Sequence, residues 1–384
     1  MLVLEEPYVS PLLVEWAAEA QHPVLANAFA EGLVRDGAAL NLVGDDEAAA
    51  RIDAGERVYS NSENALDWVL SHTHDRTLSD AIAFSKDKAR MRRELAPLSP
   101  DLFYRECSRD ELARMDPDAL PLPVVLKPAV GFCSMGVYAI ESADDWNRAL
   151  ADIEEGERVW AERYPGSVVD MGRFVVEGYV EGAEYAIDMY YDGEGRAHCL
   201  NVMRHDFASP DDTSDRLYNT SREIIAEMQP VFTEWLDKVN EVLGARDFPA
   251  HVEVRVDAEG NIVPIEFNPL RFAGLGGTDL AYWAWGVRTY EAFLEGNDVD
   301  LLALSEPHAG KVYTMSLLNP HADADLSRPF LYDEFVSKFS NVLDFHRFDA
   351  NAVGSYGFLF LETDDRTVGE LDFLLHSDLL EFQG

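Results

Sequence analysis

Apolar residues in the N-terminal part of the chain recur alternately with the spacing of strands and of helices. Leu2–Leu4 predicts a strand, and Pro11–Ala20 has apolar residues at helical spacing. Further short apolar runs and a second helical pattern follow, at Pro23–Leu25, Ala38–Val43 and Asn64–Ser71. Because strands and helices alternate, we predict a small α/β unit with a partly parallel sheet over residues 1–85.

From Lys86 onward, strand patterns dominate. A basic helix is predicted over Lys86–Leu95, and further helices over Ala143–Ala151 and Ile224–Leu243. Strand patterns lie at Val124–Pro128, Val137–Ile140, Phe174–Glu177, Glu184–Tyr191, His251–Asp257, Ile262–Asn268, Val312–Leu317 and Tyr356–Glu362. We therefore predict two further units, residues 86–300 and a strand-rich extension over residues 301–384 that packs on them.

Composition places the chain among globular proteins. It has 384 residues, of which 47% are hydrophobic and 11% aromatic, enough for two or three packed units and unlike a disordered chain. No apolar run approaches the roughly 20 residues that span a bilayer. The first residues lack the basic and then apolar pattern of a signal peptide. We expect a cytoplasmic protein without a membrane partner.

The chain is strongly acidic, with 71 acidic against 31 basic residues and a formal net charge of −40. Either the whole surface is adapted to a salt-rich cytosol, or the protein has a cationic partner. The acidic residues are spread along the chain and only six of the basic residues are lysine, which favours the first explanation. Binding to nucleic acid is disfavoured, since this charge repels the phosphate backbone.

The first candidate site is a lysine followed by a glycine-containing loop. Lys127 lies near the end of an apolar strand, and Gly131, Ser134 and Gly136 follow in the loop before the next strand. Glycines let backbone N–H groups turn toward an anion, and a lysine ammonium suits phosphate oxygens. A plain β-hairpin with a glycine loop is the alternative interpretation.

The positions of the lysines favour phosphate binding. Lys86, Lys88 and Lys127 are three of the six lysines and lie within 42 residues of one another. A chain that otherwise uses arginine for positive charge has little reason to use lysine there unless a compact charge is required. Chance clustering is the alternative.

A stronger signal comes from two segments, His251–Asp257 and Ile262–Asn268, joined by a turn. In the first, valines alternate with polar residues, so Glu253 lies on the polar face. If Asp257 pairs with Ile262, Glu253 lies directly opposite Glu266, where two carboxylates repel. A divalent cation between them, with the amide oxygen of Asn268, would relieve that repulsion, and such oxygen ligands suit Mg²⁺ or Mn²⁺. The alternative is an acidic hairpin that faces solvent.

Two further features complete the candidate site. Arg271 follows the second strand of the hairpin, where it could contact a phosphate or a carboxylate bidentately; otherwise it is a surface arginine. The segment from Phe174 to Glu184 is a strand that breaks into a linker with two glycines and resumes as a strand. Such a hinge can offer backbone groups to an adenine, and an acidic side chain to a ribose.

Taken in order, these elements resemble the ATP-grasp superfamily over about residues 86–290, with a looser resemblance of the first 85 residues to the small domain that precedes it. Family motifs are matched by Asp87-Lys88, Lys127, Gly131 to Gly136, Glu177 to Val180, Glu184, Glu253, and Glu266-Phe267-Asn268-Pro269. The family commonly has an arginine directly after Asn-Pro, whereas Leu270 intervenes here. The resemblance implies an α/β unit followed by a two-lobed grasp fold with antiparallel sheets.

The resemblance also implies roles for single residues. Arg271 and Lys127 would be catalytic, and Glu253, Glu266 and Asn268 would bind Mg²⁺ (or Mn²⁺). ATP would be bound by Lys88, Lys127, Gly131, Ser134, Gly136, Glu177, Gly178, Val180 and Glu184.

The implied activity is ATP-dependent ligation of a small-molecule carboxylate to an amine through an acyl phosphate. A homodimer is plausible for this superfamily. By its position, the polar segment from Arg204 to Tyr218 could line the substrate pocket, where Arg204 could bind a carboxylate and an acidic residue an ammonium group. An ordinary acidic loop is the favoured alternative. Two alternatives stay open: a small-molecule kinase with the same nucleotide site, and a non-catalytic nucleotide-binding module.

Overall fold

The computed structural model describes residues 1–131, 136–163, 170–209 and 214–384. The chain begins with a four-stranded parallel sheet in the order β3-β2-β1-β4. Its strands are β1 (Leu2–Val3), β2 (Pro23–Leu25), β3 (Asn41–Val43) and β4 (Tyr59–Ser60). Five helices connect and follow them: α1 (Pro11–Glu19), α2 (Ala28–Arg35), α3 (Asp45–Asp53), α4 (Leu66–His72) and α5 (Arg76–Lys86). The predicted α/β unit is confirmed.

A second, antiparallel sheet of four strands follows, in the order β5-β8-β6-β7. It contains β5 (Tyr104–Ser108), β6 (Val124–Val130), β7 (Tyr138–Ile140) and β8 (Asp170–Gly178). The helices of this region are α6 (Lys88–Leu95), α7 (Arg109–Leu112) and α8 (Ala143–Arg163). Phe174, Val176 and Trp146 are among the buried residues that pack the sheet against helix α8.

The basic segment Lys86–Leu95 was predicted as one helix, and that prediction is wrong. Helix α5 ends at Lys86 and helix α6 begins at Lys88. Asp87 lies between them with an extended backbone, and its carboxylate accepts hydrogen bonds from the N–H groups of Ala89 and Arg90. A carboxylate that caps a helix N-terminus in this way stabilises a new helix start.

The largest layer is an eight-stranded antiparallel sheet in the order β13-β12-β9-β10-β11-β14-β16-β15. Its strands are β9 (Ala183–Tyr191), β10 (Ala197–Asp206), β11 (Leu217–Ser221), β12 (Phe248–Val256), β13 (Ile262–Pro269), β14 (Lys311–Leu317), β15 (Val342–Arg347) and β16 (Gly357–Asp364). Strands from residues 301–384 thus extend the sheet that carries β12 and β13. The predicted combination of an α/β unit and antiparallel sheets is confirmed.

Helix α9 (Arg222–Leu243) covers one face of this sheet. The side chain of Ser221 caps its start, and Gly244 ends it with a φ of 68°. Its buried side chains recur at helical spacing: Ile225, Met228, Phe232, Trp235, Leu236 and Val239. Each such side chain contributes about 1.5–3 kcal/mol on burial, so this helix fixes the sheet against which the candidate site is built.

The remaining helices follow the central strands: α10 (Leu280–Trp285), α11 (Thr289–Glu295), α12 (Leu301–Ser305), α13 (Tyr332–Val336), α14 (Ala350–Val353) and α15 (Gly369–His376). Throughout the described residues, no helix has both the length and the apolar composition needed to cross a bilayer.

The β12–β13 hairpin has the predicted pair of carboxylates but a different register at its turn. Val256, and not Asp257, pairs with Ile262, so the pairing assumed at the turn is wrong. A bulge between Glu253 and Val254 then shifts the register by one residue, which leaves Glu253 opposite Glu266. The two carboxylates therefore face each other as predicted.

Candidate active site

The centre of the candidate site is the carboxylate pair on β12 and β13. The side chains of Glu253 and Glu266 are 21% and 20% exposed, so the hairpin does not present them to bulk solvent. Asn268, which is buried, donates a hydrogen bond of 3.2 Å to Glu266. The pair is therefore largely shielded from solvent, unlike a solvated acidic turn.

The two carboxylates differ in their electrostatic environment. Burial raises the pKa of Glu253, and the charge of Glu266 raises it further. Burial also opposes ionisation of Glu266, but the ammonium group of Lys88 outweighs it and lowers the pKa of Glu266. Glu266 is thus ionised, whereas ionisation of Glu253 is unfavourable. A cation bound between them would favour the ionised form of both.

The residues fit a divalent cation only if other oxygens complete its coordination. Within the described ranges, no group of three or more histidine, cysteine, aspartate or glutamate side chains is arranged to hold a metal ion. Glu253, Glu266 and the amide of Asn268 are fewer ligands than a hard divalent cation takes, which leaves positions for phosphate oxygens and water. The donor set suits a cation that arrives with a nucleotide.

Lys88 connects this pair to the glycine loop. Its ammonium nitrogen lies 2.9 Å from Glu266 Oε2 and donates a hydrogen bond of 3.2 Å to the carbonyl oxygen of Gly131. Burial alone would lower the pKa of Lys88, but Glu266 and other nearby carboxylates raise it, so the lysine is charged. Of the other predicted loop residues, Gly136 is buried with a φ of 70°, and Ser134 lies outside the described residues.

The second lysine is part of a buried ion-pair cluster that sequence analysis missed. Lys127 Nζ lies 2.6 Å from Glu177 Oε1, and Arg92 donates to both oxygens of Glu177 at 2.5 and 2.9 Å. All three side chains are at most 8% exposed. Arg92 follows Lys88 by one turn of helix α6, so its helical spacing was a signal that it lies on the same face of the helix.

Burial and pairing shift the pKa values in this cluster. Burial lowers the pKa of Lys127 to about 8, although the charge of Glu177 opposes the shift. Burial would raise the pKa of Glu177, but Arg92 and Lys127 hold it at about 2. The Glu177 carboxylate is therefore ionised at neutral pH and holds the Lys127 ammonium group in place.

We expect the variant Glu177→Gln to be less stable than the wild type by about 3 kcal/mol at pH 7, because two buried cations lose their counterion. A carboxyl group whose pKa is lowered by folding stabilises the protein above its unfolded pKa. That contribution is lost as the pH falls, so the difference between the two proteins should shrink as the pH falls from about 4.5 toward 2. Urea unfolding at several pH values measures it.

Glu181→Gln is the matched control, since Glu181 is an exposed glutamate of the neighbouring linker. It should unfold like the wild type at every pH. A difference between Glu177→Gln and wild type that stays constant down to the acid limit of folding would contradict the assignment.

The predicted hinge joins β8 to β9, and hydrogen bonds of its own backbone hold it in one conformation. Gly178 N–H donates to Phe103 O at 2.8 Å, and the carbonyl oxygen of Val180 accepts from Arg255 at 2.9 Å. A Cβ on Gly182, which has a φ of 135°, would lie 2.1 Å from the carbonyl oxygen of Val256, so only glycine fits there. The linker is thus a defined turn between strands β8 and β9.

Glu184 is the second residue of strand β9 and already has two partners. Its carboxylate contacts Arg255 Nε and His205 Nδ1, each at 3.0 Å. An ionised carboxylate has about four acceptor positions, so a ribose hydroxyl can still bind there. Arg204, proposed from the sequence as a contact for a substrate carboxylate, instead pairs with Asp206 at 2.9 and 3.0 Å and is 46% exposed.

The inserted Leu270 leaves Arg271 near the carboxylate pair: burial lowers the pKa of Arg271, but the charges of Glu63, Glu266 and Glu253 raise it. Leu270 has a φ of 59° and is fully buried, its N–H donating to Pro249 O and its carbonyl accepting from Ser60 N–H. This left-handed residue turns the chain, and Arg271 is only 17% exposed. Its guanidinium contacts Glu63 of the N-terminal unit at 2.9 Å, a partner that the sequence did not indicate.

The sequence also did not indicate the contacts of Asp188, which support the β12–β13 hairpin. Asp188 is fully buried and accepts hydrogen bonds from His251 Nδ1 at 2.7 Å, Ala273 N–H at 2.8 Å and Thr278 Oγ1 at 2.7 Å. His251 Nε2 lies 3.5 Å from Glu253. Burial opposes charge on His251, but Asp188 and Glu253 raise its pKa to about 9. Asp188 therefore ties the carboxylate pair to the loop after Arg271.

The chain is similar to known proteins over the region that carries the carboxylate pair. Residues 120–279 match the family model described as the ATP-grasp domain. A D-alanine–D-alanine ligase from Granulibacter bethesdensis is 31% identical over 170 residues, which are 44% of this chain and 49% of that protein. The chain thus matches about half the length of this curated relative.

Solved structures share the architecture over nearly the whole chain. An L-amino acid ligase from Bacillus licheniformis has a TM-score of 0.70 at 16% identity, covering 97% of this chain and 95% of that one. A biotin carboxylase from Campylobacter jejuni has a TM-score of 0.64 at 11% identity, with 97% and 90% covered. An N5-carboxyaminoimidazole ribonucleotide synthetase from Thermotoga maritima has a TM-score of 0.60 at 14% identity, with 99% and 98% covered. At these identities the likeness is one of fold.

Proposed function

We propose that the chain, whose residues 120–279 match the ATP-grasp domain model, is an ATP-dependent ligase that joins a small-molecule carboxylate to an amine through an acyl phosphate. The observation that carries this proposal is the carboxylate pair Glu253 and Glu266, with Lys88 2.9 Å from Glu266. Facing carboxylates and a buried lysine suit a nucleotide that arrives with a divalent cation.

The chemistry requires activation of the acid. An oxygen of the substrate carboxylate attacks the γ-phosphorus of ATP, the bond to the β–γ bridging oxygen breaks, and ADP leaves with the electron pair. The amine nitrogen then attacks the acyl carbon, the bond from that carbon to the phosphorylated oxygen breaks, and phosphate leaves while the nitrogen loses a proton. Phosphate is a far better leaving group than the oxygen of a free carboxylate.

Most of the catalytic effect in such a reaction is positioning and charge stabilisation. Lys88 and Lys127 supply fixed positive charge to the phosphates, and the Arg271 guanidinium faces the transferred group. When bound, Mg²⁺ (or Mn²⁺) neutralises phosphate oxygens, and Glu253, Glu266 and Asn268 are the residues that would hold it. Water must be kept from the acyl phosphate, which it would hydrolyse, and the burial of Lys88, Lys127 and Asn268 favours this.

The remaining assignments follow from the same proposal. Gly131, Ser134 and Gly136 would cover the phosphates, and Gly178 and Val180 would border the adenine. Glu184 would bind the ribose, and Glu177 would hold Lys127 in place. The homodimer and the cytoplasmic location stay predictions from the sequence.

The proposal is tested by screening carboxylic acids and amines, singly and in pairs, for ADP release in high KCl with Mg²⁺. Hydroxylamine is then added to each active mixture, because it captures an acyl phosphate as a hydroxamate. We expect ADP release that requires an acid, and a hydroxamate of that acid. ADP release with an alcohol or phosphate acceptor and no hydroxamate would indicate a kinase, and no ADP in any mixture would indicate a binding module.

A further inference from the structure

One buried acidic residue from outside the matched domain reaches the candidate active site. Glu63 lies in the N-terminal unit, in the turn that precedes helix α4, and its side chain is 17% exposed. Its Oε1 accepts hydrogen bonds from Arg271 Nε at 3.2 Å and from Arg271 Nη2 at 2.9 Å. Its Oε2 is ion-paired with Lys86, which is 15% exposed.

These contacts determine how the guanidinium of Arg271 is presented. Arginine has five N–H donors in one plane. Two of them point at Glu63, and a third, from Nη1, points at the carbonyl oxygen of Phe272 at 3.0 Å. One N–H on Nη1 and one on Nη2 remain for a ligand. A guanidinium held along one edge cannot rotate, so the direction of these two donors is fixed.

The same carboxylate also separates two positive charges. Lys86 and Arg271 each contact a different oxygen of Glu63, so without it two largely buried cations would lie side by side, where water screens their repulsion only weakly. Their repulsion would displace the flexible lysine and the arginine from these positions. Glu63 therefore sets both the direction and the spacing of the cations on this side of the carboxylate pair.

We propose that Glu63 is a positioning residue of the ligase reaction, through which the N-terminal unit fixes Arg271 toward the transferred phosphoryl group. The inference rests on the proposed function. A simple anchor between the N-terminal unit and the rest of the chain is the competing explanation, and it predicts a loss of stability without a selective change in turnover.

The test compares Glu63→Gln with Glu56→Gln. Glu56 is a partly buried glutamate of the same unit that also pairs with two cations, the amino group of Met1 and Arg51. We expect kcat of Glu63→Gln to fall on the order of 10- to 100-fold, since a misplaced group costs about that much, while KM for ATP changes little. Glu56→Gln should keep the wild-type kcat, and melting temperatures report folding.

A double variant separates positioning from anchoring. If Glu63 acts through Arg271, the variant Glu63→Gln/Arg271→Ala should be no slower than Arg271→Ala alone. Losses in kcat that multiply, or a wild-type kcat in Glu63→Gln, would overturn the proposal.

If Glu63→Gln does not fold, Glu63→Asp is used instead, because it keeps the charge on a shorter side chain. A partial loss of kcat in Glu63→Asp supports positioning, and a wild-type kcat overturns it. A wild-type protein that releases no ADP in any mixture would count against the proposed function instead.

Discussion

Replacing Glu266 by glutamine is expected to lower turnover by a factor on the order of 10³ or more and to leave the fold intact. The loss follows from the removal of a full negative charge at the place where the cation and the phosphates would be held. The fold should tolerate the change because glutamine has the same shape and ends the repulsion with Glu253, which remains as a counter-charge near Lys88. ADP release and the melting temperature are the measurements.

Glu259→Gln is the matched control, since Glu259 is an exposed glutamate in the turn of the same hairpin. It should retain wild-type turnover. Near-normal turnover in Glu266→Gln, with Glu259→Gln also active, would refute the role of the carboxylate pair.

The second large effect is expected for Arg271→Ala, in which kcat should fall on the order of 10²- to 10³-fold. Arg271 contributes a fixed charge whose stabilising effect grows as the phosphoryl group transfers, so the loss should appear in kcat more than in KM. Arg271→Lys keeps the charge but not the planar fork and should recover only part of the activity. Steady-state kinetics of the three proteins tests this order.

The control is Arg366→Ala, because Arg366 is 88% exposed and pairs only with its neighbour Asp364 among the contacts described for it. Equal kcat in Arg271→Ala and wild type would show that the inserted Leu270 has removed this arginine from the reaction. A full recovery in Arg271→Lys would show that charge alone is sufficient.

Much of the site could be predicted because its residues lie on short segments with a clear period. The alternation of His251–Asp257 places Glu253 on the polar face of its strand, and Glu266 shares that face in the register that sets the two residues opposite each other. The assumed register at that turn was one residue off, and the bulge compensated for it. Periodicity thus identified the paired carboxylates, whereas the bulge depends on local hydrogen bonding that the pattern does not encode.

The partners that orient these residues could not be predicted in the same way. Glu63 and Arg271 are 208 positions apart, and Glu177 and Arg92 are 85 apart. No local pattern records which distant side chain fills a buried cleft, because that is decided when the units pack. The helix break at Asp87 is different, since an aspartate that can cap the following residues is visible in the sequence.

Whether Glu253 and Glu266 hold a divalent cation together with a nucleotide is tested most directly by calorimetric titration. The protein is titrated with a non-hydrolysable ATP analogue, once in Mg²⁺ and once in EDTA. We expect binding that is at least about tenfold tighter with Mg²⁺ than with EDTA in the wild type, and no such gain in Glu253→Gln. The same affinity in Mg²⁺ and in EDTA, or a full gain in Glu253→Gln, would contradict it.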